Sequence, residues 1–278
     1  MKDFKILVIL MFVVGAMYYG VEPYAHHIMH PEVTPPDYKF SDLPQAKTDG
    51  DAVKGKELVQ ANCVACHSLK KDGMNAPMSD TDAVATYGLV PPDLSNVATI
   101  YDHNFLANFI KNPSGTVQGK ADKYAMPPIP LPDEDIGHIV AYLKTTAKKD
   151  MTPKEVTQEA CVRCHTVKYD NVKTTTNPDS IKKYMGALPP DLSQMIKSAG
   201  HHYLEGFINQ PQKLLHGTSM PRVGLNEDSQ KKVIAYLEKV GDPTKEDRGA
   251  LGIKIIIYMA VLTVLTYLWK VKVFREVH

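Results

Sequence analysis

The chain has 278 residues, with 32 lysines and arginines against 31 aspartates and glutamates, for a net charge of +1. That length accommodates two modest domains, and so even a charge balance gives no basis for binding nucleic acid. The charge is unevenly placed, with a mildly acidic middle between two basic ends.

The first predicted element is a membrane span. The stretch ILVILMFVVGAMYYGV runs from Ile6 to Val21 without a charge, behind Lys2 and Lys5. A bilayer-crossing helix needs about 20 apolar residues. Lys5 can extend its ammonium to the interface, and Tyr18 and Tyr19 suit the headgroup layer. A basic start also fits a cleaved signal peptide, but no clear small-x-small site precedes the polar stretch, so an uncleaved anchor over residues 1–22 is expected. Residues 23–48 read as an extended linker. His26, His27 and His30 crowd its membrane edge as a solvated cluster rather than a metal site.

A first domain is expected over residues 49–149. DAVKGKELVQANCVACH has helical apolar spacing and ends on the pentad Cys63–His67. A Pro- and Gly-rich run over 73–92 reads as loop. A short helix over 104–111 is closed by NPSG, and an amphipathic helix over 133–146 carries acidic residues in its first turn, where they favour the helix dipole. No strand pattern competes, so the fold class is all-α. After KKDMTPKE the domain repeats over residues 150–244. Cys63, Cys66 and His67 recur 98 positions later as Cys161, Cys164 and His165. GLVPPDLS answers to GALPPDLS, and FLANFIKNP to YLEGFINQP, at the same offset. The second copy then loses four residues, so that Met126 matches Met220.

The last element is a second span over residues 250–272. IIIYMAVLTVLTYLW, Ile255–Trp269, precedes the basic tail KVKVFREVH. A buried core helix is the alternative, which the length and the basic tail disfavour. The excess of Lys2, Lys5, Lys270, Lys272 and Arg275 at the ends places both termini in the cytoplasm and residues 22–250 outside, in the periplasm or its equivalent.

Each copy is under about 100 residues and rich in loop, so its own core is thin and something large and apolar is needed to fill it. All four cysteines lie in the two C-x-x-C-H pentads. Such a pair is half a zinc site, a redox dithiol or, with the histidine, a haem attachment. A zinc ribbon pairs two close knuckles in one small domain, whereas each copy here holds one. No βαβ pattern surrounds either pair, as a thioredoxin-like dithiol requires. Haem c held by thioethers to Cys63 and Cys66, and to Cys161 and Cys164, uses every cysteine and fills the core. It leaves no thiol exposed to an oxidising compartment. Two covalently bound haems are therefore expected, with His67 and His165 on the irons.

A second axial ligand is expected at Met126 and Met220, which correspond between copies and are each followed by proline. Met74, Met78, Met185 and Met195 do not correspond and fit the core. His103 and His201 do correspond, at a helix start, and read as helix-entry residues. The ligand histidines need their second ring nitrogen held, and the carbonyls of Pro92 and Pro190 are the expected acceptors.

These motifs together resemble class I cytochrome c. In each repeat C-x-x-C-H is followed by a GPxL-like turn (Pro91–Leu94 and Pro189–Leu192), then Met-Pro, then a closing helix with AYL. The resemblance implies two tandem class I cytochrome c domains, each a helical fold around a His/Met haem, flanked by N- and C-terminal transmembrane helices. The whole chain is similar to the dihaem cytochrome c subunit of bacterial cytochrome bc complexes, the cytochrome c1 counterpart, including YYGVEPYAHHIMHP and YLWKVKVFREV. That similarity implies the electron-transfer subunit of a quinol–cytochrome c oxidoreductase in the bacterial inner membrane, with no substrate chemistry of its own. Electrons would pass from a Rieske iron–sulfur protein through both haems to a soluble cytochrome c or a terminal oxidase. Cytochrome b and membrane lipid would be neighbours, in a dimeric complex. Ordinary cytochrome c1 departs from this pattern in holding one haem, lacking an uncleaved first span and having a different c fold. The rivals are the dihaem subunit of a cbb3-type oxidase, a dihaem peroxidase, which requires a displaceable ligand, and a tethered carrier outside any complex.

Overall fold

The computed structural model describes residues 2–29, 33, 35–117 and 126–277. At the N-terminus α1 (Lys2–Ala16) passes through a π-helical turn at Met17–Val21 into α2 (Glu22–Met29). Helical winding thus continues past residue 22; His30 lies outside the described residues. At the other end the helix Lys245–Val277 runs for 33 residues. Both ends are long and apolar enough to cross a membrane, over Phe4–Met29 and Lys245–Arg275, and neither is buried against the rest of the chain.

Between them the first domain holds α3 (Ala52–Asn62), α4 (Asp80–Tyr87), α5 (Val97–Ile100), α6 (His103–Lys111), α7 (Pro113–Val117) and α8 (Asp133–Thr146). The second repeats that order as α9 (Pro153–Cys161), α10 (Pro178–Met185), α11 (Met195–Ala199), α12 (His201–Asn209), α13 (Pro211–Leu214) and α14 (Glu227–Gly241), ahead of α15 (Lys245–Val277). Local chemistry sets the ends. Asp51 accepts from Val53 N at 2.8 Å to start α3, and Asp102 accepts from Phe105 N at 2.8 Å to start α6. Thr152 and Glu155 form a capping box on α9, with Pro153 inside its first turn. α4 and α10 both stop at a left-handed glycine, Gly88 and Gly186. Among the described residues β structure is confined to the isolated bridges Leu69–Met74, Val167–Val172 and Tyr101–Leu225.

Each domain is organised by one helix crossing. α3 meets α8 so closely that a Cβ on Gly55 would sit 2.0 Å from the His138 carbonyl oxygen. Val59, Ile136, Ile139, Val140 and Leu143 pack around that point. In the second domain α9 crosses α14, with Val156, Val233, Ile234 and Leu237 in the core. Equivalent polar pins hold both crossings. Tyr142 Oη donates to Asp72 at 2.5 Å and Tyr236 Oη to Asp170 at 2.7 Å. Lys56 and Lys154 reach the same carboxylates at 3.3 and 2.7 Å.

The two domains are stitched by main chain. Asp102 N donates to Gly224 O at 3.0 Å, Asn226 N to Ile100 O at 3.1 Å and Arg222 N to Val117 O at 3.0 Å. Gly224, with φ +82, lies against the Phe105 ring with no room for a Cβ. A strap over residues 37–46 seals this seam. Asp37 accepts from Lys39 N and Ser41 N, turning the chain so that Phe40 takes a left-handed φ of 50. Phe40 is fully buried beside Phe105 and Val117, and the Arg222 guanidinium lies 4.7 Å over its ring.

Candidate functional site

Each pentad closes its helix with one tight turn. Cys66 N and His67 N donate to Cys63 O at 3.1 and 2.8 Å, and Cys164 N and His165 N to Cys161 O at 3.1 and 2.9 Å. The Pro-Pro-Asp-Leu turn is then tied to the residue after the pentad: Leu94 N donates to Ser68 O at 2.8 Å and Leu192 N to Thr166 O at 2.9 Å. That tie carries a proline carbonyl to the imidazole. His67 Nδ1 lies 2.8 Å from Pro92 O, and His165 Nδ1 lies 2.8 Å from Pro190 O. A carbonyl only accepts, so Nδ1 carries the proton and Nε2 presents a lone pair. Burial, which favours the neutral ring, holds both imidazoles below the ordinary histidine pKa, against the opposing pull of the carbonyl bond.

None of the four cysteines is in a disulfide. Burial, and then the neighbouring thiol, pushes the Cys63 thiol up to about 11 and the Cys161 thiol up to about 12. Burial also raises Cys164. Redox dithiols have lowered thiol pKa values, so these sites have the opposite electrostatics. Among the described residues no three His, Cys, Asp or Glu side chains converge on a metal-holding position, so a four-donor zinc set is not assembled here.

The residues do fit a haem. Cys63, Val64, Met74 and Leu94 pack half-buried on the edge of the first core, and Cys161, Leu192 and Met195 on the second. These are apolar faces with thiols and one imidazole lone pair at the rim, a donor set suited to two thioethers and one axial bond. Met126 and Met220 are half-buried on irregular segments rather than in a helix core. Met74 and Met195 lie on the cores themselves, and Met78 and Met185 are half-buried.

The corresponding histidines behave differently. His103 Nε2 bonds to Ala98 O at 2.9 Å, whereas His201 faces Glu205 at 3.2 Å in solvent. Sequence reasoning missed Arg163, inside the second pentad. Its guanidinium donates to the Tyr101 hydroxyl of the first domain and its charge bears on His67. It missed Tyr87, whose hydroxyl is 3.4 Å from Cys66 Sγ, and His138, whose Nδ1 accepts from Asp51 N at 2.7 Å. It also missed the Asp42–Arg222 pair. A signal for the last existed: the matched segments read Met-Pro-Pro in the first copy and Met-Pro-Arg in the second.

Segments flanking the two pentads also meet across the domain seam. Val90 N, in the first proline turn, donates to Thr176 Oγ1 of the second domain at 3.3 Å. Gly88 lies under the Tyr184 ring, and Asn96 Nδ2 donates to Glu159 Oε1 at 2.7 Å.

Known proteins resemble this chain as follows. A family model described as Cytochrome c matches the chain twice, over residues 52–147 and 153–241. Cytochrome c2 of Pararhodospirillum photometricum is 30% identical over 110 residues, covering 34% of this chain and 97% of that protein. Cytochrome c of Tetrahymena pyriformis is 29% identical over 119 residues, covering 41% of this chain and 95% of that protein. A solved chain described as Hyperthermophilic respiratory Complex III is 20% identical and covers 98% of this chain and 99% of that one, with a TM-score of 0.35.

Proposed function

Because the chain belongs to the cytochrome c family, with two family domains in tandem, we propose that it is the dihaem c-type subunit of a quinol–cytochrome c oxidoreductase. In this reading it relays electrons from a Rieske iron–sulfur protein to a soluble cytochrome c or a terminal oxidase. One observation carries the proposal: the same imidazole–carbonyl geometry, at 2.8 Å in both copies, sits in two domains joined by main-chain hydrogen bonds.

Haem c, when bound, supplies a one-electron iron couple. Cys63 and Cys66, and Cys161 and Cys164, anchor one group each. His67 and His165 offer Nε2 to the irons, with Pro92 and Pro190 fixing the tautomer. Met126 and Met220 would supply thioether sulfurs to the irons, and a thioether would favour the reduced state and raise the potential. The main-chain hydrogen bonds across the seam would hold the two haem-binding units at a set separation, so that transfer between them would need no docking search. The haem-binding units are residues 49–149 and 150–244. The two terminal helices, over Phe4–Met29 and Lys245–Arg275, anchor them on the periplasmic side of a bacterial inner membrane, with both basic ends in the cytoplasm. Cytochrome b is the expected membrane neighbour, in a dimeric complex.

Purification from native membranes tests this reading. Co-isolation with a b-type cytochrome and a Rieske protein is expected, and intact mass should show two haem additions. Co-isolation with a haem–copper oxidase instead would assign the chain to a cbb3-type enzyme. Absence of any added mass would remove the haem reading altogether.

A further inference from the structure

The segments carrying the two methionines are held differently. Met220 is followed by Pro221 and Arg222, whereas Met126 is followed by Pro127 and Pro128. The Arg222 side chain is only 2% exposed. Its Nη1 and Nη2 each donate to the Asp42 carboxylate at 2.7 Å, a bidentate pair. Its Nε donates to Asn209 O at 3.1 Å. Asn209, itself fully buried, accepts from Gly224 N and Leu225 N at 3.0 and 2.9 Å. On the other side of the methionine, Met220 N donates to Thr218 Oγ1 at 3.3 Å. The segment 218–225 is therefore pinned from within its domain. It is also gripped from outside by the strap that leaves the first membrane helix.

We propose that Asp42 and Arg222 are positioning residues for Met220, and that the strap holds the sulfur-bearing segment of the second site closed. The inference rests on the reading of Met220 as an axial ligand. A thioether is a neutral, weak ligand, so its hold on iron depends on how seldom its segment swings away. Without Asp42 the buried guanidinium loses its bidentate partner, keeps only the field of the Asp37 carboxylate, and is driven towards water. It sits two residues from the sulfur and draws that segment outward. Pro128 stands in the matching place of the first domain, so the effect is confined to the second site.

Imidazole is the probe, because it binds ferric iron only where the methionine has let go; its apparent affinity therefore reports the open fraction. The haem-loaded full-length protein in detergent is titrated as wild type and as Asp42→Asn. Met126→Ala and Met220→Ala identify which methionine–iron charge-transfer band belongs to which site. Asp42→Asn is expected to tighten imidazole binding at the second site by roughly tenfold, the scale of one lost charge-assisted contact, and to leave the first unchanged. The first site serves as the internal control for folding. Equal tightening at both sites, or none at the second, overturns the inference. If Met220→Ala changes neither the band nor the affinity, the ligand assignment has failed instead.

Discussion

Replacing Gly224 by alanine should open the seam between the domains. Gly224 has φ +82, and a Cβ built there lies 2.1 and 2.2 Å from Cδ1 and Cε1 of Phe105. A left-handed backbone costs an alanine about 1–2 kcal/mol. The ring has nowhere to retreat, since Phe105 is 4% exposed and its centroid lies 5.1 Å from that of Phe40; overpacking of this kind costs about 1–3 kcal/mol. The joint therefore loses about 2–5 kcal/mol. Two amides report on it directly, because Asp102 N and Asn226 N donate across the seam to Gly224 O and Ile100 O. At about 1.4 kcal/mol per factor of ten, their hydrogen exchange in the full-length protein should accelerate by roughly thirtyfold or more. Amides inside α3 and α8 should keep their wild-type protection. Unchanged exchange at both reporters would refute the close approach and the rigid joint derived from it.

Three further outcomes follow from the site and the helix crossings. Gly55→Ala places a methyl 2.0 Å from the His138 carbonyl oxygen; overpacking of about 1–3 kcal/mol exceeds the helix-propensity gain of about 1 kcal/mol, so thermal unfolding of the first domain should begin lower. Tyr142→Phe removes the hydrogen bond that, ahead of Lys56, holds the Asp72 carboxyl below the usual carboxylate range. Such a contribution is present above the unfolded carboxylate pKa, about 3.9, and is lost as pH falls through the lower folded value. The stability gap between wild type and Tyr142→Phe should thus be full at neutral pH and close in acid, as read by denaturant melts. In a redox titration, Met126→Ala and Met220→Ala should each lower the potential of one haem only; if neither shifts either potential, the ligand assignment falls.

How much of this was legible in the sequence depends on the range of the interaction. The helix expected over 104–111 appears as His103–Lys111 and that over 133–146 as Asp133–Thr146, because an apolar stripe with a capped end is a local signal. The duplication was legible for the same reason, and the pentad and proline turn are close enough in sequence to suggest the imidazole–carbonyl contact. The short helices α5, α7, α11 and α13 were not, since four or five residues span little more than a turn and carry no period. Residues 37–46 read as featureless linker. Their role comes from Phe40 meeting Phe105, and Asp42 meeting Arg222, 180 positions away. Nothing in a local window announces such partners. Arg163 was hidden differently: it occupies the variable place of a motif, and its partner Tyr101 belongs to the other copy.

The way the two copies are joined bears on ionic strength. Main-chain hydrogen bonds, a glycine pressed on a phenyl ring and a guanidinium shielded from water form the buried part of the seam. Dissolved salt screens exposed charges over about 8–10 Å at 0.10–0.15 M but reaches such contacts poorly. Adding salt should therefore slow encounters with an outside donor or acceptor wherever opposite charges guide them. On the proposed two-haem reading, the passage of an electron from one half of this molecule to the other should proceed at the same rate in dilute buffer and in brine.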